Sequence, residues 1–228
     1  MKTLALICML IDHIGLVFFP YDLRWRVIGR LAMPIFAYCL ARGLIYTSSI
    51  ERYIKRLVIF ALISQIPFWL LEWAANGGKL ITLHLNIGFT FVIAAIIVYL
   101  WQRMQLDKRH NSIKKIIMGI MSIVALLMAD FLNMDYGSFG VLVVIGCYMS
   151  FRLGKNELVM GFIYTFLVML LYSSSLNMII LQEIGVIGFG ICYMTKTISE
   201  KSLGKLFYIV YPMHMLIIGL VSIWYKGV

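Results

Sequence analysis

Residues 3–20 read TLALICMLIDHIGLVFFP, an apolar stretch whose middle carries two polar side chains, Asp12 and His13. About 20 mostly apolar residues in a helix are enough to cross the hydrocarbon core of a bilayer. Because no small-residue cleavage signal follows the polar pair, we expect a retained first membrane span rather than a signal peptide.

The composition of the whole chain agrees with a membrane protein. Of its 228 residues, 62% are hydrophobic and 13% are charged, whereas an ordinary soluble domain is about 45–50% apolar and about 25% charged. So few charges cannot cover a globular surface, which excludes a soluble monomer and an intrinsically disordered chain. The four cysteines lie in apolar runs without metal-ligand spacing, so we expect no metal.

Further apolar stretches follow the first one, separated by turn and charge signals. We therefore predict an all-α, polytopic membrane protein with a single domain over residues 1–228. Its fold is a bundle of about nine transmembrane helices, with eight or ten as the alternatives. The predicted spans cover residues 3–20, 27–46, 55–73, 83–101, 113–132, 137–151, 157–173, 177–195 and 205–225.

The distribution of basic residues orients this bundle. With the N-terminus in the cytoplasm, the inner loops hold 14 basic residues and the outer loops hold four, as the positive-inside rule requires. The formal net charge of +10 then faces the cytoplasm, where it indicates orientation and an anionic cofactor rather than nucleic acid. We expect a multi-pass protein of the cell (inner, cytoplasmic) membrane, in contact with the lipid bilayer.

Several ionisable side chains fall within these spans, where each costs about 2.5–3.5 kcal/mol on insertion scales and marks a functional site by default. Asp12 and His13 project about 100° apart on a helix, so each needs a partner on another helix or in a cavity. We expect the two acids to be balanced by the two bases of the second span. The alternative is that these groups only hold helices together. The set comprises Asp12, His13, Arg30, Arg42, Glu183 and His214.

Two basic patterns point to an anionic ligand. The first is a stripe at every fourth residue of the second span: Arg30, Pro34, Tyr38 and Arg42. The stripe either lines a ligand cavity or carries arginines that snorkel to the two membrane surfaces. In the second pattern, Arg52, Lys55 and Arg56 share one helix face at the inner start of the third span. They either clamp phosphates or serve only as topology anchors.

The outer ends of the spans carry a further polar set. His84 and Asn86 stand at the start of the fourth span, and Asp130 precedes an acidic, turn-rich loop that contains Tyr136. This set either receives an amine-bearing acceptor or forms a solvated loop. In the last span, Tyr211 stands beside a proline and three residues before a histidine, and such kinked polar segments usually border a cavity.

Six segments together resemble the TraX family of integral-membrane acetyltransferases, and they cover nearly the whole chain in order. TraX proteins are similar to a wider group of membrane acyltransferases that take acetyl from cytoplasmic acetyl-CoA and deliver it across the membrane. The name-giving member acetylates the N-terminus of a conjugative pilin, but no pilin context is visible in this sequence. The segments are MLIDHIG (9–15), GRLAMPIFAYCLARG (29–43), YIKRLVIFALISQIPF (53–68), LNIGFT (85–90), ADFLNMDYGSFGVL (129–142) and KLFYIVYPMHMLII (205–218).

Together with the patterns above, the resemblance implies a role for each polar group. In the wider group a basic residue, ten others and a histidine mark the first span, as Lys2 and His13 do here. Arg42 departs from the family, which often has an acidic residue before the glycine that matches Gly43. The implied catalytic set is His13 as general base, Asp12, Arg30 and His214. The implied acetyl-CoA-binding set is Arg42, Arg52, Lys55, Arg56, Tyr38 and Lys2. The implied acceptor-binding set is His84, Asn86, Asp130, Tyr136, Glu183 and Tyr211.

We therefore predict an acetyl-CoA-dependent acyltransferase that acetylates an amine or hydroxyl on a peptide N-terminus, glycan or small molecule. His13 deprotonates the acceptor, and Arg30 stabilises the oxyanion or holds an anionic acceptor. Because no cysteine is placed for an acyl-enzyme, direct transfer is favoured, with an acyl-histidine as the alternative. A different class of function is a small-solute transporter or flippase that uses the intramembrane charges. A third is a non-catalytic scaffold.

Overall fold

The computed structural model describes residues 1–79, 83–106, 112–154, 156–171, 175–195 and 204–226 of the chain. These residues form helices and their connections, as the all-α prediction requires. In chain order the helices are α1 (Lys2–Phe18), α2 (Leu23–Gly29), α3 (Ala32–Tyr46), α4 (Ile50–Ala75), α5 (Ile87–Leu106), α6 (Ser112–Phe131), α7 (Gly137–Arg152), α8 (Glu157–Leu171), α9 (Leu176–Glu183), α10 (Val186–Thr195) and α11 (Gly204–Lys226). Five predicted inner-loop bases and the end of the seventh predicted span lie outside the described residues: Lys108, Arg109, Lys155, Lys196, Lys201 and residues 172–173.

Within the described ranges, each predicted span corresponds to one helix or to two consecutive helices. α7 and α8 are apolar but short, with 16 and 15 residues. Six segments are long and apolar enough to cross a membrane: Leu23–Tyr46, Ile50–Ala75, Ile87–Met104, Ser112–Phe131, Leu176–Thr195 and Phe207–Tyr225. The architecture is that of an all-α, multi-pass membrane protein.

Two of the predicted spans are interrupted, which their hydropathy does not reveal. Arg30 and Leu31 separate α2 from α3. The cause is Pro34, which has no N–H to donate to the carbonyl of Arg30 and is tolerated in the first turn of a helix. Ile184 and Gly185 likewise separate α9 from α10. The interruptions are tight turns that keep backbone hydrogen bonds, from the N–H of Leu31 to the carbonyl of Ile28 at 3.2 Å and from the N–H of Gly185 to the carbonyl of Gln182 at 2.9 Å.

The helix that carries most of the predicted stripe, α3, is central. It packs against α1, α5, α7 and α10, and its residues are buried almost continuously from Ala32 to Leu44. Of the stripe, Arg30, Pro34 and Tyr38 are buried and only Arg42 is exposed. α6 lies at the periphery, and its buried residues are Met118 and Ala129. The stripe is therefore enclosed by protein over most of its length.

The helix of the fourth predicted span begins later than hydropathy indicates. α5 starts at Ile87, so His84 and Asn86 lie in the connection before the helix and not on it. This connection pairs with the one between α6 and α7, because the carbonyl of Leu85 accepts from the N–H of Asp135 at 2.8 Å. The pairing gives partners to backbone groups that would otherwise be buried without any.

Asn86 fixes the start of α5 against α4. Its Nδ2 donates to the carbonyl of Ala61 and to Oε1 of Gln65, both at 2.8 Å, and its Oδ1 accepts from the N–H of Gly88 at 2.8 Å. The side chain is fully buried, and both of its amide protons are used within the protein. The structure therefore shows a structural role for Asn86, and its place among the acceptor-binding residues stays a prediction.

We expect Asn86→Ala to lower the stability of the purified protein, because Gln65 and the Gly88 N–H lose a buried partner. Leaving a buried polar group unsatisfied costs about 1–3 kcal/mol. Thermal unfolding in detergent measures the change. Asn76→Ala is the matched control, since Asn76 is exposed at the end of α4. Equal unfolding midpoints for the two variants would contradict the role given to Asn86.

Candidate functional site

A cavity of about 310 Å³ lies between α1, the break between α2 and α3, α4 and α11. We call it the polar cavity. Its polar lining residues are Asp12, His13, Arg26, Arg30, Glu72, His84, Asp135, Tyr136, Gln182 and Tyr211. More than half of these residues belong to the sets predicted from the sequence, so the structure brings together side chains that are far apart in the chain.

His13 lines this cavity and meets the buried His214 edge to edge. Nδ1 of His13 lies 2.7 Å from Nε2 of His214, and the two ring planes are 10° apart. Nδ1 of His214 lies 2.9 Å from the carbonyl of Val210, and because a carbonyl only accepts, this nitrogen carries a proton. In the neutral pair, Nε2 of His214 then accepts from Nδ1–H of His13, and Nε2 of His13 keeps its lone pair. The two bonds fix the tautomer of a candidate base.

Asp12 finds its partner on α2. Nη1 of Arg26 donates to Oδ2 of Asp12 at 2.8 Å. The other carboxylate oxygen, Oδ1, has no hydrogen-bond partner among the described residues and packs against Gly29. The direct ion-pair partner of Asp12 is therefore Arg26, and not Arg30 or Arg42. Hydropathy assigns Arg26 to an outer loop, but it lies on α2 one turn before the break.

Arg30 stands at the break itself and is 8% exposed. Its Nη1 donates to the hydroxyl of Tyr136 at 3.3 Å, and the guanidinium carbon lies 6.0 Å from the centre of the Tyr136 ring. Nε has no hydrogen-bond partner among the described residues. A buried guanidinium with unused donors is suited to an oxygen that is anionic or becomes so during a reaction.

The outer wall of the polar cavity is acidic. Nδ1 of His84 lies 3.1 Å from Oε1 of Glu72. Burial raises the pKa of the Asp135 carboxyl to about 6; the positive charge of Arg30 opposes this rise, and the negative charges of Asp12 and Glu72 add to it.

Within the described part of the chain, no three His, Cys, Asp or Glu side chains are grouped to hold a metal ion.

A second cavity, of about 470 Å³, lies in the opposite half of the bundle. Its wall is largely aromatic and aliphatic, and it carries Lys2 and Arg56 as cations. We call it the basic-rimmed cavity, since Arg56 is exposed at its edge. Cys39 also lines it, and Phe36 lines both this cavity and the polar one. Two of the six predicted cofactor-binding residues thus reach a common cavity.

The other four predicted cofactor-binding residues lie outside both cavities. Tyr38 is in the core, where its hydroxyl donates to Oε1 of Glu157 at 3.1 Å. Arg42, Arg52 and Lys55 are exposed, Arg42 on α3 and the other two in the first turns of α4. The predicted stripe is therefore divided, with Arg30 at the polar cavity and Tyr38 bound within the core.

Asp130 and Glu183 also make internal contacts. Oδ1 of Asp130 accepts from the N–H of Ser138 at 2.7 Å and so satisfies the first turn of α7. Asp130 also lines an outer depression beside His84. Oε2 of Glu183 accepts from the hydroxyl of Thr165 at 3.0 Å, so the described partner of this acid is a hydroxyl and not the predicted arginine. Neither acid lines the polar cavity.

Four polar residues of this cavity were missed by sequence reasoning: Arg26, Glu72, Asp135 and Gln182. Arg26 extends the four-residue spacing of the stripe by one turn, a signal that was available. Glu72 and Asp135 have the appearance of ordinary loop acids, because the pairing of the connections before α5 and after α6 is a tertiary contact. Gln182 reaches the cavity at the end of α9, next to a break that hydropathy does not reveal.

Comparison with known proteins identifies a family. A model of the family described as "TraX protein" matches residues 1–222. An uncharacterised protein of Rickettsia prowazekii (strain Madrid E) is 42% identical over 66 residues, which are 29% of this chain and 25% of that protein. A "Probable fimbrial assembly protein FimC, serogroup H1" from Dichelobacter nodosus is 29% identical over 106 residues, which are 42% of this chain and 43% of that protein. The chain therefore matches less than half of the length of either relative. No solved structure matches.

Gly29→Ala tests the packing around Asp12. A Cβ at Gly29 would clash with the Asp12 side chain, so we expect the Asp12–Arg26 ion pair to be displaced and the protein destabilised by about 1–3 kcal/mol, as overpacking typically does. Gly119→Ala is the matched control, since nothing lies within 4 Å of a Cβ at that helical position. Thermal unfolding of both variants in detergent measures the difference, and a Gly29→Ala protein as stable as the control would count against this packing.

Asp135→Asn tests this half-buried acid of the polar cavity through the pH dependence of stability. The pKa of the Asp135 carboxyl is about 6 in the folded protein, above the ordinary 3.8. The folded state therefore binds the proton of this carboxyl more tightly than the unfolded state does. Wild type should therefore lose stability relative to Asp135→Asn as pH rises from about 4 to about 6, and lose no more above that. The measurement is the difference in unfolding midpoint across this range.

Asp22→Asn is the control for that experiment. The hydrogen bonds from Arg24 hold the pKa of the exposed Asp22 carboxyl at about 2, so its contribution changes only below the range tested. A flat difference for Asp135→Asn, like the one expected for Asp22→Asn, would show that Asp135 is not held as a neutral acid.

Proposed function

Because this chain belongs to the TraX family, we propose that it is an acetyltransferase of the inner membrane, with about nine spans and a cytoplasmic N-terminus. It takes acetyl from cytoplasmic acetyl-CoA and transfers it to an amine or hydroxyl at or across the membrane. The acceptor is a peptide N-terminus, a glycan or a small molecule. One observation carries the proposal: a histidine of fixed tautomer shares a cavity with a buried guanidinium that has an unused donor.

The reaction begins at Nε2 of His13. This nitrogen takes the proton of the acceptor N–H or O–H while the nucleophile attacks the thioester carbonyl. The positive charge that develops on His13 is stabilised through the hydrogen bond from its Nδ1 to His214, which the Val210 carbonyl holds in place. Asp12 acts as a positioning residue, because its ion pair with Arg26 holds α2 against α1.

Attack on the thioester produces a tetrahedral intermediate with an oxyanion. The guanidinium of Arg30 is suited to stabilise that charge, since a preorganised donor in a water-poor site costs little reorganisation. The carbon–sulfur bond then breaks, the new carbon–nitrogen or carbon–oxygen bond remains, and the thiolate takes the proton from His13. CoA is released and His13 is again a free base.

The donor enters through the basic-rimmed cavity. Its apolar wall suits the pantetheine arm, and Lys2 and Arg56 suit the phosphates. Arg52 and Lys55, exposed on the same helical end as Arg56, attract the anionic cofactor from solution. Cys39 lies on this wall, which makes a cysteine acyl-enzyme a third route to test beside direct transfer and an acyl-histidine.

The match to a fimbrial assembly protein supports a role for this chain in the assembly of a surface fibre. The N-terminal amine of a fibre subunit is then one candidate acceptor. An acceptor of this kind would reach the polar cavity from its acidic outer wall, which suits a cationic amine.

A transporter is the second candidate function, and the two broken helices favour it. Discontinuous helices whose ends meet at a polar site are a recurring feature of secondary transporters. Here the α2–α3 break contributes Arg30 and the end of α9 contributes Gln182 to one cavity. A transporter would not respond to CoA, so ligand binding separates the two functions.

Thermal unfolding with acetyl-CoA, CoA and dephospho-CoA is the first test. Free ligand at about 100 times its Kd should add about 2.7 kcal/mol of stability. Arg56→Ala should weaken that shift, whereas Arg103→Ala should keep it, because Arg103 is exposed and bonded to Glu51. Absence of any shift with acetyl-CoA and CoA would sink the acetyltransferase proposal in favour of the transporter.

His13→Ala is the second test. We expect it to reduce acetyl transfer to a small amine by at least about 10²-fold, the range of general-base catalysis, while the CoA-dependent shift remains. Cys39→Ala should retain transfer if no cysteine acyl-enzyme forms. Transfer that persists in His13→Ala removes this residue from the role of base.

A further inference from the structure

Phe36 is the point where the two cavities meet. Among the described residues that line them, it alone belongs to both walls. Its side chain is 7% exposed, and its ring centre lies 5.1 Å from that of Phe207. Phe207 lines only the basic-rimmed cavity. The contact between these two rings is therefore part of the partition between the cavities.

Two further rings continue this partition towards the histidine pair. The ring centre of Phe60 lies 5.2 Å from that of Phe207 and 4.9 Å from that of Tyr211. Tyr211 lines the polar cavity, and its ring centre lies 5.7 Å from that of His214. We call Phe36, Phe60, Phe207 and Tyr211 the aromatic layer. It separates the donor side of the site from its base.

Both cavities reach the surface, at opposite ends of the bundle. Arg56 is exposed at one rim, and the side chain of His84 is 41% exposed at the other. Without the aromatic layer they would form one continuous path through the bundle. Apolar constrictions of this kind exclude water and ions, so the layer has the properties of a seal.

The proposed acetyl transfer also requires the acyl group to lie at the wall formed by Phe36. Transfer requires the nucleophile and the thioester carbon to come within about 3–3.5 Å. The base lies on the polar cavity and the cations suited to phosphates lie on the other one. A donor held by its phosphates must therefore present its acyl carbon at the wall that the two cavities share, against Phe36.

We infer that Phe36, packed on Phe207, is a specificity-determining residue that seals the two cavities from each other when no donor is bound and admits an acyl group no larger than acetyl when one is. The specificity part of this inference rests on the proposed function. A longer acyl chain would have to enter a close-packed aromatic layer. Removing the Phe36 ring opens space at that place, because surrounding structure fills such a cavity only in part.

A leak assay tests the seal without any reaction. The full chain is reconstituted in liposomes that contain a pH-sensitive dye, and the rate of proton entry is measured after an acid step. Phe36→Ala should raise this rate at least fivefold over wild type, and Phe36→Leu should raise it less. The leucine variant retains an apolar side chain, so it keeps the test valid if the alanine variant fails to fold.

Two control variants each remove a phenylalanine ring that lines only one of the two cavities. Phe68 lines only the polar cavity and Phe91 only the basic-rimmed one, and both are as buried as Phe36. Phe68→Ala and Phe91→Ala should leak as slowly as wild type. A leak in the Phe36 variants no faster than in these two would overturn the seal.

The preference between acetyl-CoA and a longer acyl-CoA tests the specificity role of Phe36. The ratio of kcat/KM for butanoyl-CoA to that for acetyl-CoA should rise at least tenfold in Phe36→Ala and less in Phe36→Leu. An unchanged ratio in variants that leak would overturn the specificity role and leave the seal. If wild type transfers no acyl group at all, the specificity role fails together with the proposed function, and the leak rates still decide on the seal.

Discussion

The hydrogen bond between His13 and His214 joins α1 to α11 over 201 positions of sequence, and much of the geometry of the site depends on it. Inside hydrocarbon, neither imidazole can rely on water, so each needs a partner within the protein. α1 and α11 therefore pack together, and α11 in turn packs along α4. α4 carries Glu72 into the outer wall of the polar cavity. A single pairing between the first and the last helix thus assembles a wall from three distant parts of the chain.

The need of each buried polar group for a hydrogen-bond partner also distinguishes structural polar residues from candidate catalytic or binding residues. Asn86 and Tyr38 bond within the core, and neither lines one of the two cavities. Their burial is explained by the contacts they make. His13 and Arg30 also lie within the bundle, but each keeps hydrogen-bonding capacity at a cavity wall. A buried hydrogen-bonding group that has no partner costs free energy. The unpartnered groups of His13 and Arg30 are therefore more readily explained by a ligand or a reaction than by packing.

Sequence alone predicts the helices and the most unusual side chains, because both signals are local. An apolar run of membrane length predicts a helix whatever its neighbours are, and an ionisable residue within the run is visible at once. This is why His13, His214 and Arg30 could be singled out. The partners of these side chains could not be predicted in the same way. Arg26 and Arg30, for example, are one turn apart, and both are within reach of an acid on α1. Which of them pairs with Asp12 depends on how α2 packs, and no local signal reports that.

The start of α5 and the two helix breaks were missed for a related reason. Hydropathy averages over a window and does not register one proline in a first helical turn or a connection that bonds to a neighbouring connection. Yet Arg30, which lines the polar cavity, stands at the break that precedes Pro34.

One short segment couples the two features that the proposed reaction needs. Arg30 stands at the break and Phe36 follows six residues later on α3, about 9 Å along the axis of a helix. The ring that faces the donor is held by α3, which is buried against four other helices, and the guanidinium suited to the oxyanion stands at the turn that leads into α3. Because only Leu31 lies between Arg30 and the first residue of α3, a displacement of α3 moves both groups. A movement of α3 that opens the partition at Phe36 therefore also shifts the electrostatic environment of the reacting carbonyl.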